Sequence, residues 1–251
     1  MQFTSALPIA FLVACVALAC GGAGLSSAQD ATKPSSLVPA ARTDDWAIKR
    51  QDELLRRARE SSPVSVVFVG DSITQSWEDP GKDAWAKHIA PLGALNLGNS
   101  GDRTENVLWR LEQAPLTRLA PKHVVLLIGT NNLGHGTSNA QETLDGVKAV
   151  AAKLAEQCPQ ATVHILEIFP RGERFNAMRG DICQINQALR AFVADDAERN
   201  GRTSRLRIHA IGDRFLGADG AISKDIMPDF LHLTPKGYEM WAEAIFKQIA
   251  K

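Results

Sequence analysis

The sequence has no excess of charge of either sign and no run of like charges. Its 28 lysine and arginine residues balance 28 aspartate and glutamate residues. A chain without a net field has no general attraction for polyanions, so neither nucleic acid nor an anionic membrane surface is expected as a partner. No period of repeat length is visible either.

Cysteine is also scarce. Of four cysteines, Cys15 and Cys20 lie in an apolar N-terminal stretch, which leaves Cys158 and Cys183 in the rest of the chain. The spacing of this pair carries no disulfide-framework pattern. We expect Cys158 where a helix passes into a strand, Cys183 in a later helix, and two separate thiols.

Only one long apolar run is present, at residues 6–19, and it is short for a transmembrane helix. Small residues follow it and end in Ser26-Ser27-Ala28, which suits a signal peptidase. Residues 1–28 are therefore predicted to be a cleaved export signal, although no lysine or arginine precedes the run, and the protein is expected to be periplasmic or extracellular. The tetrapeptides ending in Cys15 and Cys20 resemble a bacterial lipobox, so a lipid-anchored cysteine is the alternative.

Residues 29–42 contain two prolines and two serines without periodicity, which is typical of a linker. The remaining residues, 43–251, are long enough to bury an ordinary core, and one α/β domain is the simplest organisation.

From Asp44 onward, strand and helix patterns alternate. An amphipathic helix comes first, and further helices are predicted near 81–90, 104–113, 139–157, 177–199 and from 235 to the end. Strands are predicted at 64–69, 94–97, 123–128, 161–168 and 206–211. Strands separated by helices predict right-handed crossovers and a parallel sheet covered on both faces, a three-layer α/β/α sandwich.

A serine follows the first predicted strand. The strand is a short β-branched run that Gly70 ends, and Asp71 and Ser72 come next. In open α/β sheets this edge is where ligands bind. Gly-Asp-Ser is also an ordinary turn sequence, so this stretch alone does not identify a site.

Three further loops carry unusual side chains. They are 98–104 after the second strand, 129–132 after the third, and 229–232 ahead of the last helix. Each has a simpler explanation, because turn formers satisfy local backbone groups and His232 among apolar neighbours is by default a core histidine. Together they bring a glycine N–H, an amide and an Asp/His pair to the edge that holds Ser72.

These are the groups that acyl transfer requires. Ser72 is the candidate nucleophile, His232 the base that takes its proton, and Asp229 the carboxylate that orients the imidazole. The backbone N–H groups of Ser72 and Gly101 and the amide of Asn131 are the candidate oxyanion hole. A second hypothesis concerns the acyl group. The residues expected to surround the acyl carbon are Ile73, Thr130 and Leu231. Their branched side chains leave little room, which favours acetyl or another short acyl group.

The ordered blocks resemble the SGNH (GDSL) hydrolases over about 64–245, and within them most closely the catalytic subunits of intracellular platelet-activating-factor acetylhydrolase. The resemblance implies a flavodoxin-like strand order of 2-1-3-4-5, the same catalytic and oxyanion residues, no metal or organic cofactor, and a homodimer as one assembly. Ser100 departs from the pattern, because the acetylhydrolase loop has glycine there. The segments that carry the resemblance are 68–72, 94–98, 107–111, 129–132, 170–173, 219–223 and 229–233.

The substrate stays open at this level. An exported enzyme would meet acetylated sugars or glycans, whereas the resemblance favours acetylated lipid or a lysophospholipid. A non-catalytic glycan-binding module on the same fold is an alternative of another class. A metal-dependent hydrolase using Asp71, Asp102, Asp229 and His232 is a third alternative, but a single histidine among carboxylates is too few nitrogen or sulfur ligands for a typical zinc site. We expect Asp71 to hold the turn under Ser72, Asp102 to pair with Arg103, and His135 to lie near the mouth; His88, His123, His164 and His209 are expected to be structural.

Overall fold

The computed structural model describes residues 33–113 and 116–250. Its centre is a sheet of β1 (Val66–Gly70), β2 (Ala94–Gly98), β3 (His123–Leu127), β4 (Thr162–Leu166) and β5 (Leu206–His209). The strand order is β2-β1-β3-β4-β5, and every neighbouring pair is parallel. The predicted order and fold class are therefore confirmed.

Helices cover both faces of this sheet. In chain order they are α1 (Asp45–Glu60), α2 (Ser72–Gln75), α3 (Lys82–Ala84), α4 (Thr104–Gln113), α5 (Thr130–Gly134), α6 (Ala140–Gln157), α7 (Ala177–Asn200) and α8 (Pro235–Ile249). One core cluster joins the sheet to α1, α4, α6 and α7, and a second joins its other face to α8 and to residues around Trp77. The layers are those of an α/β/α sandwich.

The central strand shows why the sheet has two cores. Val67 and Val69 point into the first cluster, while Val66 and Phe68 point into the second, as the alternation of a strand requires. All four are buried, so β1 reads as a continuous apolar run. The strand that ends beside Ser72 is therefore held rigidly from both sides.

The helix predicted over 81–90 is broken into pieces. After α3, a π-helical turn spans Trp85–Ile89 and a 3₁₀ turn spans Ala90–Leu92. Pro91 lacks an N–H and cannot continue an α-helix, and Gly93 then turns the chain with a φ of 67°. The π turn contains Trp85, whose ring packs edge-on against Phe68 with the centroids 5.2 Å apart.

The described part of the predicted linker, 33–42, lies against α4. Ala40 N donates to Glu105 O at 3.1 Å, and Thr104 Oγ1 donates to Ser36 O at 2.9 Å. Asn106 Nδ2 donates to Ala40 O at 2.9 Å. We call residues 33–44 the strap, because these hydrogen bonds fasten them across the start of that helix.

Both cysteines lie where the sequence predicts. Cys158 follows α6 and is buried, Cys183 lies in α7 and is exposed, and neither forms a disulfide. The predicted export signal lies outside the described residues. Among the helices that are described, none has the length and apolar character needed to cross a membrane.

Three of the histidines expected to be structural form a row across β3, β4 and β5. His123 Nδ1 lies 3.0 Å from His164 Nε2, and His164 Nδ1 lies 2.9 Å from His209 Nε2. Burial, followed by the charges of the neighbouring histidines, lowers the pKa of His164 to about 3. The central ring, His164, is thus neutral at ordinary pH and is hydrogen-bonded to both of its neighbours.

Candidate active site

Ser72 is the first residue of α2, directly beyond the end of β1. Gly70 is needed there, because a Cβ on it would lie 2.3 Å from Leu127 O and 2.2 Å from Thr74 Oγ1. Asp71 caps the short helix, and its Oδ1 accepts from Ile73 N at 3.0 Å. The carboxyl group of Asp71 holds the turn as predicted and fixes the backbone that carries the serine.

The serine, histidine and aspartate form one hydrogen-bonded chain. Ser72 Oγ lies 2.9 Å from His232 Nε2, although 160 positions separate the two residues. On the other side of the ring, His232 Nδ1 lies 2.6 Å from Asp229 Oδ2. Asp229 Oδ2 can accept a hydrogen bond from Nδ1–H, which leaves the Nε2 lone pair facing the hydroxyl, the tautomer that a general base needs.

A tight turn fixes the Asp/His pair. Asp229 Oδ1 accepts backbone N–H bonds from Leu231 at 3.1 Å and from His232 at 2.8 Å. Phe230 between them has a φ of 59°, a left-handed conformation that a bulky residue adopts only when its surroundings enforce it. Burial raises the pKa of Asp229, but the hydrogen bonds from the His232 ring and backbone outweigh it and hold the pKa below its ordinary value.

The loops that carry the candidate oxyanion donors meet this chain at the same edge. Gly70 pairs with Gly98 on one side and with Leu127 on the other, so all three strand ends are level. Gly101 has a φ of 74°, which favours glycine. Asn131 lies in the first turn of α5, and its Nδ2 donates to Asp102 O at 3.0 Å, which leaves its second amide hydrogen for another acceptor.

Asp102 does not pair with Arg103, so that expectation is wrong. Arg110 Nε donates to Asp102 Oδ2 at 2.9 Å, and Arg42 Nη1 reaches Oδ1 at 3.3 Å. Arg103 pairs instead with Glu105. The reason is burial: Asp102 is fully buried, and both of its partners come from elements packed over the loop, α4 and the strap.

Two of these arginines position the loop backbone as well. Arg110 Nη1 donates to Leu97 O at 3.0 Å, and Arg42 Nη1 donates to Ser100 O at 2.7 Å. Sequence reasoning did not single out either residue. Arg110 lies in the segment 107–111, which carries the resemblance, between the apolar residues of a predicted helix. In the structure it faces the core and is only 6% exposed. No signal of this kind marks Arg42, because it lies in a stretch that reads as a linker.

The three residues proposed to line the acyl pocket have different surroundings. Ile73 is almost fully buried in the second core cluster, and Leu231 packs against that cluster while partly exposed. Thr130 is also buried, and its carbonyl and hydroxyl accept from Arg171 Nη1 at 3.1 and 3.3 Å. Arg171 is a further residue that sequence reasoning missed, although it stands in a segment that carried the resemblance.

A polar pocket of about 480 Å³ lies beside Gly101. We call it the strap pocket, since residues 41–44 of the strap form one wall, together with Trp46 at the start of α1. Trp46 is 53% exposed, and the Arg42 guanidinium carbon lies 5.2 Å from its ring centre. The opposite wall includes His135, as expected for a residue near the mouth. Burial and the nearby arginines lower the pKa of His135, so its ring is neutral at ordinary pH. The rest of the lining is Ser100, Gly101, Arg103 and Asn106.

The residues named for the metal-dependent alternative do not gather. Asp71 and Asp102 are buried in separate hydrogen-bonding arrangements, and Asp229 is engaged by His232. Within 33–113 and 116–250, no three His, Cys, Asp or Glu side chains are grouped so that they could hold a metal ion.

Comparisons with known proteins agree with this architecture. Residues 68–240 match the model of the GDSL-like Lipase/Acylhydrolase family. The chain is 35% identical over 208 residues to platelet-activating factor acetylhydrolase IB subunit alpha1 from Homo sapiens, covering 83% of this chain and 84% of that protein. The alpha2 subunit from Rattus norvegicus is 33% identical over 213 residues, covering 84% and 87%.

Solved structures share the fold at lower identity. A GDSL-like lipase from Bacteroides thetaiotaomicron superposes with a TM-score of 0.62 at 23% identity, covering 81% of this chain and 98% of that one. A carbohydrate acetylesterase from Sinorhizobium meliloti superposes with a TM-score of 0.52 at 17% identity, covering 74% and 98%.

Proposed function

Because the chain belongs to the GDSL-like lipase/acylhydrolase family, it is a carboxylic ester hydrolase, and we propose that it removes short acyl groups, acetyl above all, from a polar alcohol by serine catalysis at Ser72. The single observation that carries the proposal is the hydrogen-bonded chain from Ser72 Oγ through His232 to Asp229. A serine hydroxyl is a weak nucleophile at neutral pH, and this chain supplies the base that it lacks.

In the proposed reaction, Ser72 Oγ bonds to the ester carbon while its proton passes to His232 Nε2. The tetrahedral intermediate then collapses, the carbon–oxygen bond to the alcohol breaks, and the Nε2 proton goes to the departing alcohol oxygen. Water repeats the sequence on the acyl-serine, releases the carboxylic acid and restores the hydroxyl. Asp229 keeps its negative charge and stabilises the imidazolium in both steps.

The negative charge on the intermediate needs donors that are already in place. The backbone N–H groups of Ser72 and Gly101 and the free amide hydrogen of Asn131 would supply them. Asp102 supports this set, since its carbonyl orients the Asn131 amide and its carboxylate is held by two arginines. Donors fixed in this way need no reorganisation during the reaction, which makes them effective.

The preference for a short acyl group rests on Ile73, Thr130 and Leu231. Two of the three are almost fully buried, and Arg171 holds Thr130 in place, so the corner beside the serine is rigid. The 35% identical relative is named as an acetylhydrolase, which is compatible with the same preference.

For the alcohol, the strap pocket favours a sugar. Its walls carry an exposed indole, a neutral imidazole, a serine and an asparagine, and a flat ring beside hydrogen-bonding groups suits a pyranose. Since the named relative acts on platelet-activating factor, an acetylated phospholipid is the second candidate. A lipid would need an apolar surface for its chains, which the strap pocket does not offer.

Turnover of 4-nitrophenyl acetate by the wild type and Ser72→Ala tests the mechanism, with Ser61→Ala at the C-terminal end of α1 as the matched control. Ser72→Ala should lose at least about ten-thousandfold in kcat, and His232→Ala nearly as much, because the two act as a unit. Ser61→Ala should match the wild type. Equal turnover by Ser72→Ala and the wild type would remove Ser72 from the mechanism.

A fluorophosphonate separates the enzyme from a glycan-binding module on the same fold. The wild type should be labelled at Ser72, and His232→Ala should be labelled far more slowly. An unlabelled wild type that still binds glycans would favour the module.

The acyl group and the alcohol of the substrate are tested separately. Rates with 4-nitrophenyl acetate and octanoate report on the acyl site, and a preference for octanoate would contradict the short-chain proposal. Acetylated xylose oligomers compared with acetylated phospholipid report on the alcohol site. Faster release of acetate from the lipid would overturn the sugar assignment and leave the serine mechanism standing.

A further inference from the structure

A second cavity lies at the carboxyl edge of the sheet on the β4/β5 side, and the mechanism above does not use it. Its volume is about 250 Å³, which is small for a ligand site, and none of the proposed catalytic or oxyanion residues lines it. We call it the Arg179 cavity. Much of its wall is apolar and comes from Ile168, Pro170, Phe175, Ile182 and Leu216.

Arg179 is the polar feature of this cavity. Its side chain lies in the first turn of α7, and the residue is only 6% exposed. Nη1 donates to Gly220 O at 2.7 Å, but Nε and Nη2 are buried with no hydrogen-bond partner among the described residues. A buried guanidinium edge without an acceptor is unfavourable, because its hydrogens have lost water and gained nothing.

Arg190, eleven positions later on the same helix, shows which group the Nε/Nη2 edge of a guanidinium binds. Arg190 Nε and Nη2 donate to the two carboxylate oxygens of Glu167 at 2.5 and 2.9 Å. The Nε/Nη2 edge presents two parallel N–H groups, which match a carboxylate. The corresponding edge of Arg179 has the same shape and no carboxylate.

The surroundings limit the charge of a ligand. Glu167 lines the cavity but is already paired with Arg190, so it does not supply the acceptor that Arg179 Nε and Nη2 lack. Asp213 also lines the cavity and would repel a dianion about twice as strongly as a monoanion. A singly charged group is therefore favoured over phosphate. The Phe175 ring, 83% exposed, lies 5.7 Å from the guanidinium carbon and covers it from the solvent side.

We propose that the Arg179 cavity binds a small monocarboxylate with an apolar chain, its two oxygens on Arg179 Nε and Nη2 and its chain among Ile168, Ile182 and Leu216. The site does not rest on the proposed esterase function, since its residues and its ligand contacts are separate from Ser72. The carboxylate would supply the acceptor that the buried guanidinium lacks, and the apolar walls would remove the chain from water.

Calorimetric titration with sodium hexanoate tests the site. Hexanoate should bind the wild type, and hexanamide, which has the same chain and no charge, should bind at least about tenfold more weakly. Arg179→Gln should weaken hexanoate binding by at least about tenfold. Arg199→Gln is the matched control, because this exposed arginine on α7 pairs with Asp195 and does not line the cavity, so the variant should bind hexanoate like the wild type.

Gly180 provides a variant that leaves the guanidinium intact. It lines the cavity, and a Cβ added to it meets nothing within 4 Å, so Gly180→Leu should fold normally and fill the space. It should therefore lose hexanoate binding without a fall in the melting temperature, since leucine favours a helix more than glycine does. This variant decides the matter if Arg179→Gln does not fold.

Cys183 reports where the ligand sits. It is exposed and lines the cavity, whereas Cys158 is buried and burial raises its pKa to about 11, which keeps its thiol unreactive. Hexanoate should slow alkylation of Cys183 by iodoacetamide in the wild type but not in Gly180→Leu, as measured by peptide mass spectrometry. Absence of hexanoate binding to the wild type, equal binding of hexanamide, unchanged binding by Gly180→Leu, or no protection of Cys183 would each overturn the proposal.

Discussion

Asp71, the residue before the candidate nucleophile, should make the stability of this protein depend on pH in an unusual direction. The carboxyl group is completely buried, Oδ1 accepts one backbone N–H from Ile73, and Oδ2 has no partner among the described residues. Burial raises the pKa of Asp71 from 3.8 to about 7, with the charge of Asp102 adding to it and the Ile73 N–H opposing it.

The sign and size follow from proton linkage. Between pH 3.8 and about 7, the folded protein keeps a proton on Asp71 that the unfolded chain has lost. The free energy of unfolding therefore falls as the pH rises through this window and is level on either side. A rise of about three pH units in the pKa, at about 1.4 kcal/mol each, corresponds to a loss of about 4 kcal/mol.

Asp71→Asn removes this titration and keeps an oxygen for the Ile73 N–H. Urea unfolding of both proteins from pH 4 to pH 8 gives the difference in unfolding free energy, from which all other titrating groups cancel. The variant should gain on the wild type by about 4 kcal/mol across that range. A difference that stays constant within about 1 kcal/mol, or that falls as the pH rises, would refute the reasoning.

Three further changes test the framework around the site. Gly98→Ala places a Cβ 2.3 Å from Gln75 N, a backbone atom, and should lower the unfolding free energy by at least about 3 kcal/mol; a melting temperature like that of the wild type would show that the turn can move. Arg110→Met leaves Asp102 with one partner in the core and should cost about 3–5 kcal/mol in urea unfolding, whereas a cost below about 1 kcal/mol would mean that Asp102 is neutral in the folded state. Trp46→Ala should raise KM for an acetylated sugar by roughly two- to tenfold with kcat unchanged; an unchanged KM would place the alcohol elsewhere.

Much of the fold could be predicted because its signals are local. Each strand is a short apolar run between turn formers, and alternation with helices leaves few topologies for a parallel sheet. Strand ends are less well defined, since they depend on pairing: Val64 was expected in the first strand, but its N–H donates to Leu119 O outside the sheet. The prediction of one continuous helix over 81–90 is wrong, because Pro91 and the packing of Trp85 on Phe68 outweigh the helical pattern of the sequence.

The residues of the candidate site likewise differ in whether the sequence alone could predict them. Ser72, Asp229 and His232 stand in recognisable short motifs, and the structure joins them by hydrogen bonds, while their catalytic roles stay predictions. Arg42 could not be predicted, because it reaches the Gly101 loop from a segment with no periodicity. Arg179 could not be singled out either, since only side-chain geometry shows which of its nitrogens lack acceptors.

The strap pocket is lined by one stretch that lies outside the match to the family model and by another that lies inside it. Its strap side and Trp46 precede residue 68, where the match to the family begins, while Gly101 and Asn106 lie within that match. Sequence libraries confined to positions 41, 43, 44 and 46 can therefore vary the wall that we propose faces the alcohol and leave every strand end untouched, with Arg42 kept for its hold on Asp102. Under the proposed sugar assignment, residues 41–46 give protein engineers a compact segment for changing substrate selectivity, separate from the hydrogen-bonded chain of Ser72, His232 and Asp229.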